Sequence, residues 1–459
     1  MIHILSSSEN DIHTKLLNKA TVTNLNLREV VRTFCTSETE CDFVLKIVSR
    51  LEQNADAIRG RQDVIKDFML MPEFLYDCKK VLQELDSIIG GSDILKRHTF
   101  YPLTIYESDQ RKKTRTVFGN ISDIAKVLLR LIRMYVNMDD ILNKYQFKSE
   151  KMRMLQSYFH RFRTSSGFEE YGQFVNQLSH IEQGTSNICI NVFIDKEIGG
   201  IYPTFFSING SESIWQKSFV NYRDKDMVTR LTGVAVEELC IYLSDIIDTM
   251  KQQLSILRKE TMFFTFALRY IEVLNNKSLP ITWPYIMENK SIIEFENLYG
   301  INLIAKGIFK VVPNNIKTGA LTVIYGDNNT GKTCYLCCMA LAQIFAQAGL
   351  PVPAISSKVF PVSNIFSQFA SKEKDLGRFE EEVKEISNIF DMVDDRALIL
   401  LNETFQSTAY EEIASPYMDI LDTMTALGAY VYVVSHNKIL VDMCKKNVNV
   451  QVLEMNIKY

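Results

Sequence analysis

Residues 326–333 read Gly-Asp-Asn-Asn-Thr-Gly-Lys-Thr, within the stretch IYGDNNTGKTCY. The spacing G-x-x-x-x-G-K-[ST] is that of a phosphate-cradling loop. The stretch follows a short apolar run, LTVIY, and opens an apolar helix, which is the context such a loop requires. Backbone N–H groups and the helix N-terminus then face the phosphates. The expected contacts are Gly326, Asp327, Asn328, Asn329, Thr330, Gly331, Lys332, Thr333 and Cys334. Lys332 meets the β and γ phosphates, and Thr333 offers its hydroxyl to Mg²⁺. The expected cofactors are ATP and magnesium.

Two further stretches fit this chemistry. ALILLNET, residues 397–404, is an apolar strand ending in Asn402-Glu403. In many ATPases of this class the strand ends in two acids, one on the magnesium shell and one that polarises the attacking water. Here the first is an amide, so Asn402 reaches the metal through water and without charge. Glu403 is the candidate general base. VVSH, residues 433–436, ends another apolar strand, and His436 is placed to sense the γ-phosphate. Taken singly, an acid at a strand end is as often structural as catalytic, and a lone histidine is more often structural. The three stretches together favour the functional reading.

These side chains need a sheet and a scaffold. From residue 301 onward strands and helices alternate, which argues a mainly parallel sheet. Before that, helical spacing dominates. Apolar residues recur at three- and four-residue steps over 26–90, with a break at Pro72, and again over 122–145 and 147–182. The stretch 96–120, with QRKKTR at 110–115, reads as irregular. NICINVFIDKEIGGIYPTFFSING, from residue 187, alternates and reads as a small β meander turning at Gly199-Gly200. A long helix is expected over 234–275, with Leu243, Ile246, Ile247, Met250, Leu254 and Leu257 on one stripe. The predicted organisation is a mainly α-helical region over 1–300 and an α/β P-loop ATPase domain over 301–459.

The chain has 459 residues, 46% of them hydrophobic and 23% charged, with a net charge of −4. That composition suits folded domains and gives no global basic field for nucleic acid. Any DNA contact must come from a local patch, for which Arg111, Lys112, Lys113 and Arg115 are candidates, although a solvated loop is the commoner meaning of such a cluster. The nine cysteines lack metal spacing and read as buried thiols in a reducing compartment. No signal peptide and no membrane span are evident, so a cytoplasmic protein is expected.

The three stretches, in this order, resemble the MutS family of DNA mismatch repair ATPases. YGDNNTGKTCYLCCMALAQIFAQAGLPVPA parallels the family's T-G-P-N-M-G-G-K-S-T loop, its helix and its V-P-A; Asn328 matches the loop asparagine. GRFEEEV, residues 377–383, keeps Phe379 and Glu382 of the family's S-T-F-M-x-E-M, with Gly377-Arg378 in place of Ser-Thr. LLNETFQSTA parallels L-L-D-E-I-G-R-G-T-S, keeping a threonine at Thr408 but none of the glycines. VVSHNKIL parallels A-T-H-x-x-x-L. VVPNNI, residues 311–316, parallels F-x-P-N-D-I, with Val311 where an aromatic would stack on adenine. LNLREVV and IRGRQDVIKDF resemble the start of the family's helical core.

The resemblance implies an ABC-type ATPase that binds ATP across a homodimer, with Arg378 and Phe379 of one subunit facing the site of the other, and that clamps double-stranded or branched DNA. It also implies a divergent member, in which the N-terminal mismatch-reading and connector domains and the C-terminal helix-turn-helix are absent. Asn402 and the missing glycines leave a second reading open: a slow ATP-binding switch that acts through a protein partner without mismatch recognition. An unrelated P-loop ATPase with a helical arm is the third.

Overall fold

The computed structural model describes residues 2–5, 16–91, 110–180, 187–195, 200–209, 225–370, 378–406 and 409–456; at 89–91, 110–120, 187–195, 200–209, 225–238 and 378 the backbone alone is described. The chain divides into two compact units. One comprises Met1–Ile2, Met71–Phe147 and Met152–Arg258; the other comprises His3–Leu70, Lys148–Lys151 and Lys259–Tyr459.

The first unit is built on helices. Pro72 opens the helix Pro72–Leu82 at its first position, where its missing N–H costs nothing, and the preceding helix Ala55–Leu70 stops before it. The helices Gln110–Asn143, Glu150–Arg163 and Phe168–Ser179 follow. Of the expected irregular stretch, residues 96–109 lie outside the described residues, and over 110–120 it is corrected by the first of these helices. Its backbone is helical from Gln110, because Gln, Arg and Lys are strong helix formers and the apolar spacing continues upstream through Val117, Phe118 and Ile121. The side chains of Arg111, Lys112, Lys113 and Arg115 lie outside the described residues. Tyr135, buried, packs its ring against Phe159 at 4.9 Å and Phe162 at 4.8 Å between centroids.

The helix Lys225–Asn276 contributes residues to both units and starts earlier than its apolar stripe suggested. Of that stripe, Leu243, Ile247, Met250, Leu254 and Leu257 are buried, and Ile246 is half-buried. Strands β1 (Asn187–Asp195) and β2 (Gly200–Asn209) form an antiparallel ribbon that pairs Asp195 with Gly200 and Asn187 with Asn209.

The second unit holds two sheets. Strands β3 (Tyr285–Ile286), β4 (Glu294–Leu298), β5 (Asn314–Lys317) and β7 (Ser356–Val359) form one, in the order β3-β7-β4-β5. It draws strands from both sides of residue 300. Strands β6 (Leu321–Tyr325), β8 (Ile365–Phe369), β9 (Leu398–Asn402), β10 (Tyr430–Val434) and β11 (Val450–Glu454) form the other. Its order is β11-β6-β10-β9-β8, and every pairing is parallel.

A parallel sheet covered on both faces needs apolar residues on both faces, which is why β9 and β10 read LILLN and YVYVV without alternation. On one face Val323, Ile399, Leu401, Val431 and Val433 pack with residues of the helices Arg378–Phe390, Tyr410–Ala426 and Lys438–Lys446. Each fully buried aliphatic side chain contributes about 1.5–3 kcal/mol. The helix Lys332–Gln347 is buried on every side from Tyr335 onward, as its uniformly apolar sequence requires. Its two internal glutamines donate to main-chain carbonyls: Gln343 Nε2 to Phe360 O at 2.9 Å, and Gln347 Nε2 to Val362 O at 3.0 Å.

The edge strand β8 is covered by the short helix Lys19–Asn24. The Thr21 hydroxyl donates to Ile365 O and accepts from Ser367 N–H, both at 3.1 Å. One side chain thus supplies what a neighbouring strand would otherwise provide.

Candidate nucleotide site

In an open parallel sheet, ligands bind beyond the carboxyl ends of the strands. The three sequence stretches meet at that edge. The loop 326–331 follows β6, Glu403 follows β9, and Ser435-His436 follows β10, which lies between the other two strands. Register aligns Val434 with both Ile324 and Asn402, so all three strands end at one level.

The loop's backbone explains its glycines. Gly326 sits at φ 145°, and a Cβ there would run into the Met455 carbonyl oxygen. Gly331, at φ 94°, is the residue that precedes the helix Lys332–Gln347, and no atom lies within 4 Å of where its Cβ would be. The left-handed conformation alone therefore selects glycine at 331. The open space above it suits close approach of a phosphate to the helix N-terminus.

Lys332 is buried and donates from Nζ to Gly326 O at 3.0 Å and to Asp327 O at 2.7 Å. Burial lowers its pKa, opposed by the charges of Glu403 and Asp327. An ammonium held in this way gains from a polyphosphate nearby. The Thr333 hydroxyl donates to Asn402 Oδ1 at 3.1 Å. That contact places the amide beside the residue expected at the magnesium. Among the described residues no group of three or more His, Cys, Asp or Glu converges. A magnesium ion here would be held by Thr333, Asn402 through water, and the nucleotide's own oxygens, as suits an ion that keeps much of its water.

His436 Nε2 and Glu403 Oε1 lie 3.1 Å apart, each about a quarter exposed (25% and 28%). Gln406 Nε2 donates to Glu403 Oε2 at 2.5 Å. The carboxylate is therefore aimed from both sides. Two residues that sequence reasoning passed over hold this arrangement. One is Gln406, in a stretch with no local mark of function. The other is Asn437, whose Oδ1 accepts from Ile439 N–H at 3.0 Å and Leu440 N–H at 3.2 Å, capping the helix after His436. An asparagine directly before a helical run is a capping signal that was available in the sequence.

The other expected residues are placed as follows. Phe379 is partly exposed, with its ring centroid 5.6 Å from that of Phe405. The side chain of Arg378, and Gly377 and Thr408 altogether, lie outside the described residues. Val311 is half-buried just ahead of β5. Cys334 turns its thiol away from the loop, 3.8 Å from Cys338 Sγ, leaving its backbone for phosphate. The Cys338 hydrogen bond holds the Cys334 thiol below the ordinary value against the effect of burial. Burial pushes Cys35 and Cys337 up to about 12 and Cys444 to about 11. Cys334 is therefore expected to alkylate first as pH rises, with Cys334→Ser abolishing the fast phase and Cys338→Ala slowing it. Mass-spectrometric labelling across a pH series checks this; labelling led by Cys337 would contradict it.

No helix among the described residues is long and apolar enough to cross a membrane.

The family model for MutS domain V matches residues 322–459. Endonuclease MutS2 of Latilactobacillus sakei is 36% identical over 134 residues, which are 28% of this chain and 17% of that protein. Endonuclease MutS2 of Enterococcus faecalis is 34% identical over 134 residues, with the same shares. That of Bacillus mycoides is 32% identical over 133 residues, again 28% and 17%. The match thus spans 17% of the length of these curated relatives. The family-model match, residues 322–459, covers the phosphate loop, β9 and β10, whose ends carry the geometry described above; over this segment the chain is similar to MutS proteins.

Proposed function

We propose that the chain is a MutS-like ATPase whose nucleotide cycle governs the clamping of double-stranded or branched DNA. ATP sits on the loop 326–334 with magnesium at Thr333 and Asn402. Glu403 is the general base for the attacking water, and His436 steers that base and reads the γ-phosphate. Residues 301–459 form the ATPase domain, and 1–300 form the helical core and lever region. Two copies share each nucleotide, with Arg378 and Phe379 of one copy reaching the site of the other.

The observation that carries this reading is the Thr333–Asn402 hydrogen bond at 3.1 Å. It joins the loop to the strand end in the place where a hydrolytic site needs its metal. The test is single-turnover hydrolysis of MgATP by the full chain, together with a gel shift on duplex and branched DNA at low salt. Turnover and a salt-sensitive shift support it, since phosphate contacts weaken as salt rises. A protein that binds no ATP refutes it.

Asn402 favours a second reading, an ATP-binding switch that turns over slowly and acts through a protein partner. An amide brings no charge to the metal. Asn402→Asp keeps the acceptor for the Thr333 hydroxyl and adds a full charge. Coulomb attraction at the site, cut by water and by the phosphates, is worth about 1–2 kcal/mol. The magnesium midpoint of the ATPase is therefore expected to fall roughly tenfold. An unchanged midpoint in a magnesium titration of both proteins would remove residue 402 from the metal.

A further inference from the structure

The turn after β9 is strained. Glu403 sits at φ 61° and Phe405 at φ 62°, in the left-handed region that side chains rarely adopt. Where the related motif has its first glycine this chain has Phe405, whereas Glu403 falls on the motif's own glutamate. Such a backbone persists only where its surroundings hold it.

The holding contacts are on view. Glu403 N–H donates to Val434 O at 2.9 Å. The Thr404 hydroxyl donates to Gln368 Oε1. Phe405 N–H donates to Glu382 Oε2 at 2.9 Å. The Phe405 ring is buried edge-on against Tyr417 at 5.2 Å. Glu382 itself is only 4% exposed, although its neighbours Glu380 and Glu381 face solvent. Burying a carboxylate is costly unless it is hydrogen-bonded. The bond to the strained turn accounts for its place on the inner face of the helix Arg378–Phe390.

We propose that Glu382 is a positioning residue for hydrolysis: its buried carboxylate fixes the turn 403–405 and so aims the Glu403 carboxylate at the nucleotide. This rests on the reading of Glu403 as the base. The same helix carries Phe379, whose ring lies against Phe405.

The test uses the full chain with MgATP, measuring affinity by calorimetry and hydrolysis in single turnover. Glu382→Ala is expected to slow hydrolysis by about 10- to 100-fold, the scale set by an ångström of misplacement in a reacting group, with ATP affinity unchanged. Glu382→Gln recovers most of the rate, because its amide oxygen still accepts from Phe405 N–H. In a Glu403→Gln background, Glu382→Ala has no further effect, since both changes act through one group. If the alanine variant does not fold, Glu382→Asp replaces it, keeping the buried charge but withdrawing the oxygen by one methylene. Hydrolysis by the Ala or Asp variant at the wild-type rate, or effects that multiply in the Glu403→Gln background, would overturn the proposal. So would wild-type protein that binds ATP without turnover, which leaves no base to aim. Wild-type protein that binds no ATP overturns the nucleotide reading itself.

Discussion

Replacing Lys332 by alanine is expected to weaken ATP binding by about 3 kcal/mol, roughly a hundredfold in Kd, because a buried, hydrogen-bonded charge that meets a phosphate is removed. Lys332 as a whole is only 5% exposed and its ammonium is fixed by two loop carbonyls, so its field at the phosphates is less screened than that of a surface lysine. Arginine should not rescue the loss. A planar guanidinium does not fit the point that contacts Gly326 O and Asp327 O together. The fold itself should be indifferent. Burial depresses the Lys332 pKa, so wherever the ammonium is charged it costs the folded state free energy, and the cost is relieved as pH rises through the folded pKa. The alanine variant should therefore melt no lower than wild type. Calorimetry with ATP and a thermal melt separate the two effects. Unchanged affinity would remove the nucleotide from this loop.

That loop was legible from the sequence because its requirements are local: two glycines, a lysine and a hydroxyl at fixed offsets between a strand and a helix. Strands β6, β9 and β10 were legible for a different reason. They are central in a parallel sheet and so read as unbroken apolar runs. The flanking strands were not legible. In β8, IFSQF, the buried Ser367 and Gln368 are polar, and each finds its partner in a distant residue: Ser367 in Thr21 and Gln368 in Thr404. The second sheet depends on pairing 285–298 with 314–359, which no local period marks.

Glu382 matches the family motif in the sequence, but the sequence assigns it no role. In GRFEEEV it is one of three consecutive acids, and two of them are ordinary surface residues. Its spacing to Ile386 and Ile389, four and seven residues on, places it on the buried face of an amphipathic helix. An acid on an apolar stripe needs a partner, and that much could be read from sequence. The partner's identity, a main-chain N–H in a strained turn, could not. Residues 403 and 405 both sit at positive φ; at 405 the family pattern supplies glycine and this chain a phenylalanine, while at 403 the strained residue is the glutamate itself, and only the folded backbone reveals either.

Changing Glu403 to glutamine is expected to leave ATP bound and to slow hydrolysis by about 10²–10⁴-fold, the range that a positioned general base contributes. This corresponds to roughly 3–5.5 kcal/mol of barrier. The glutamine is nearly isosteric, so the contacts with His436 Nε2 at 3.1 Å and Gln406 Nε2 at 2.5 Å constrain it much as they do the carboxylate. What is lost is basicity. A carboxylate can take a proton from water as water attacks phosphorus; an amide cannot. ATP affinity should hold or rise, because the neutral side chain no longer repels the phosphate charge. The substitution also removes the carboxylate that raises the Lys332 pKa, a small opposing effect on the ammonium that faces the nucleotide. Single-turnover hydrolysis and nucleotide affinity, measured on the same preparation, decide the matter. Hydrolysis at the wild-type rate would place the base elsewhere. A variant that loses ATP affinity instead would make Glu403 a binding residue, and the strained turn that presents it would then need another explanation.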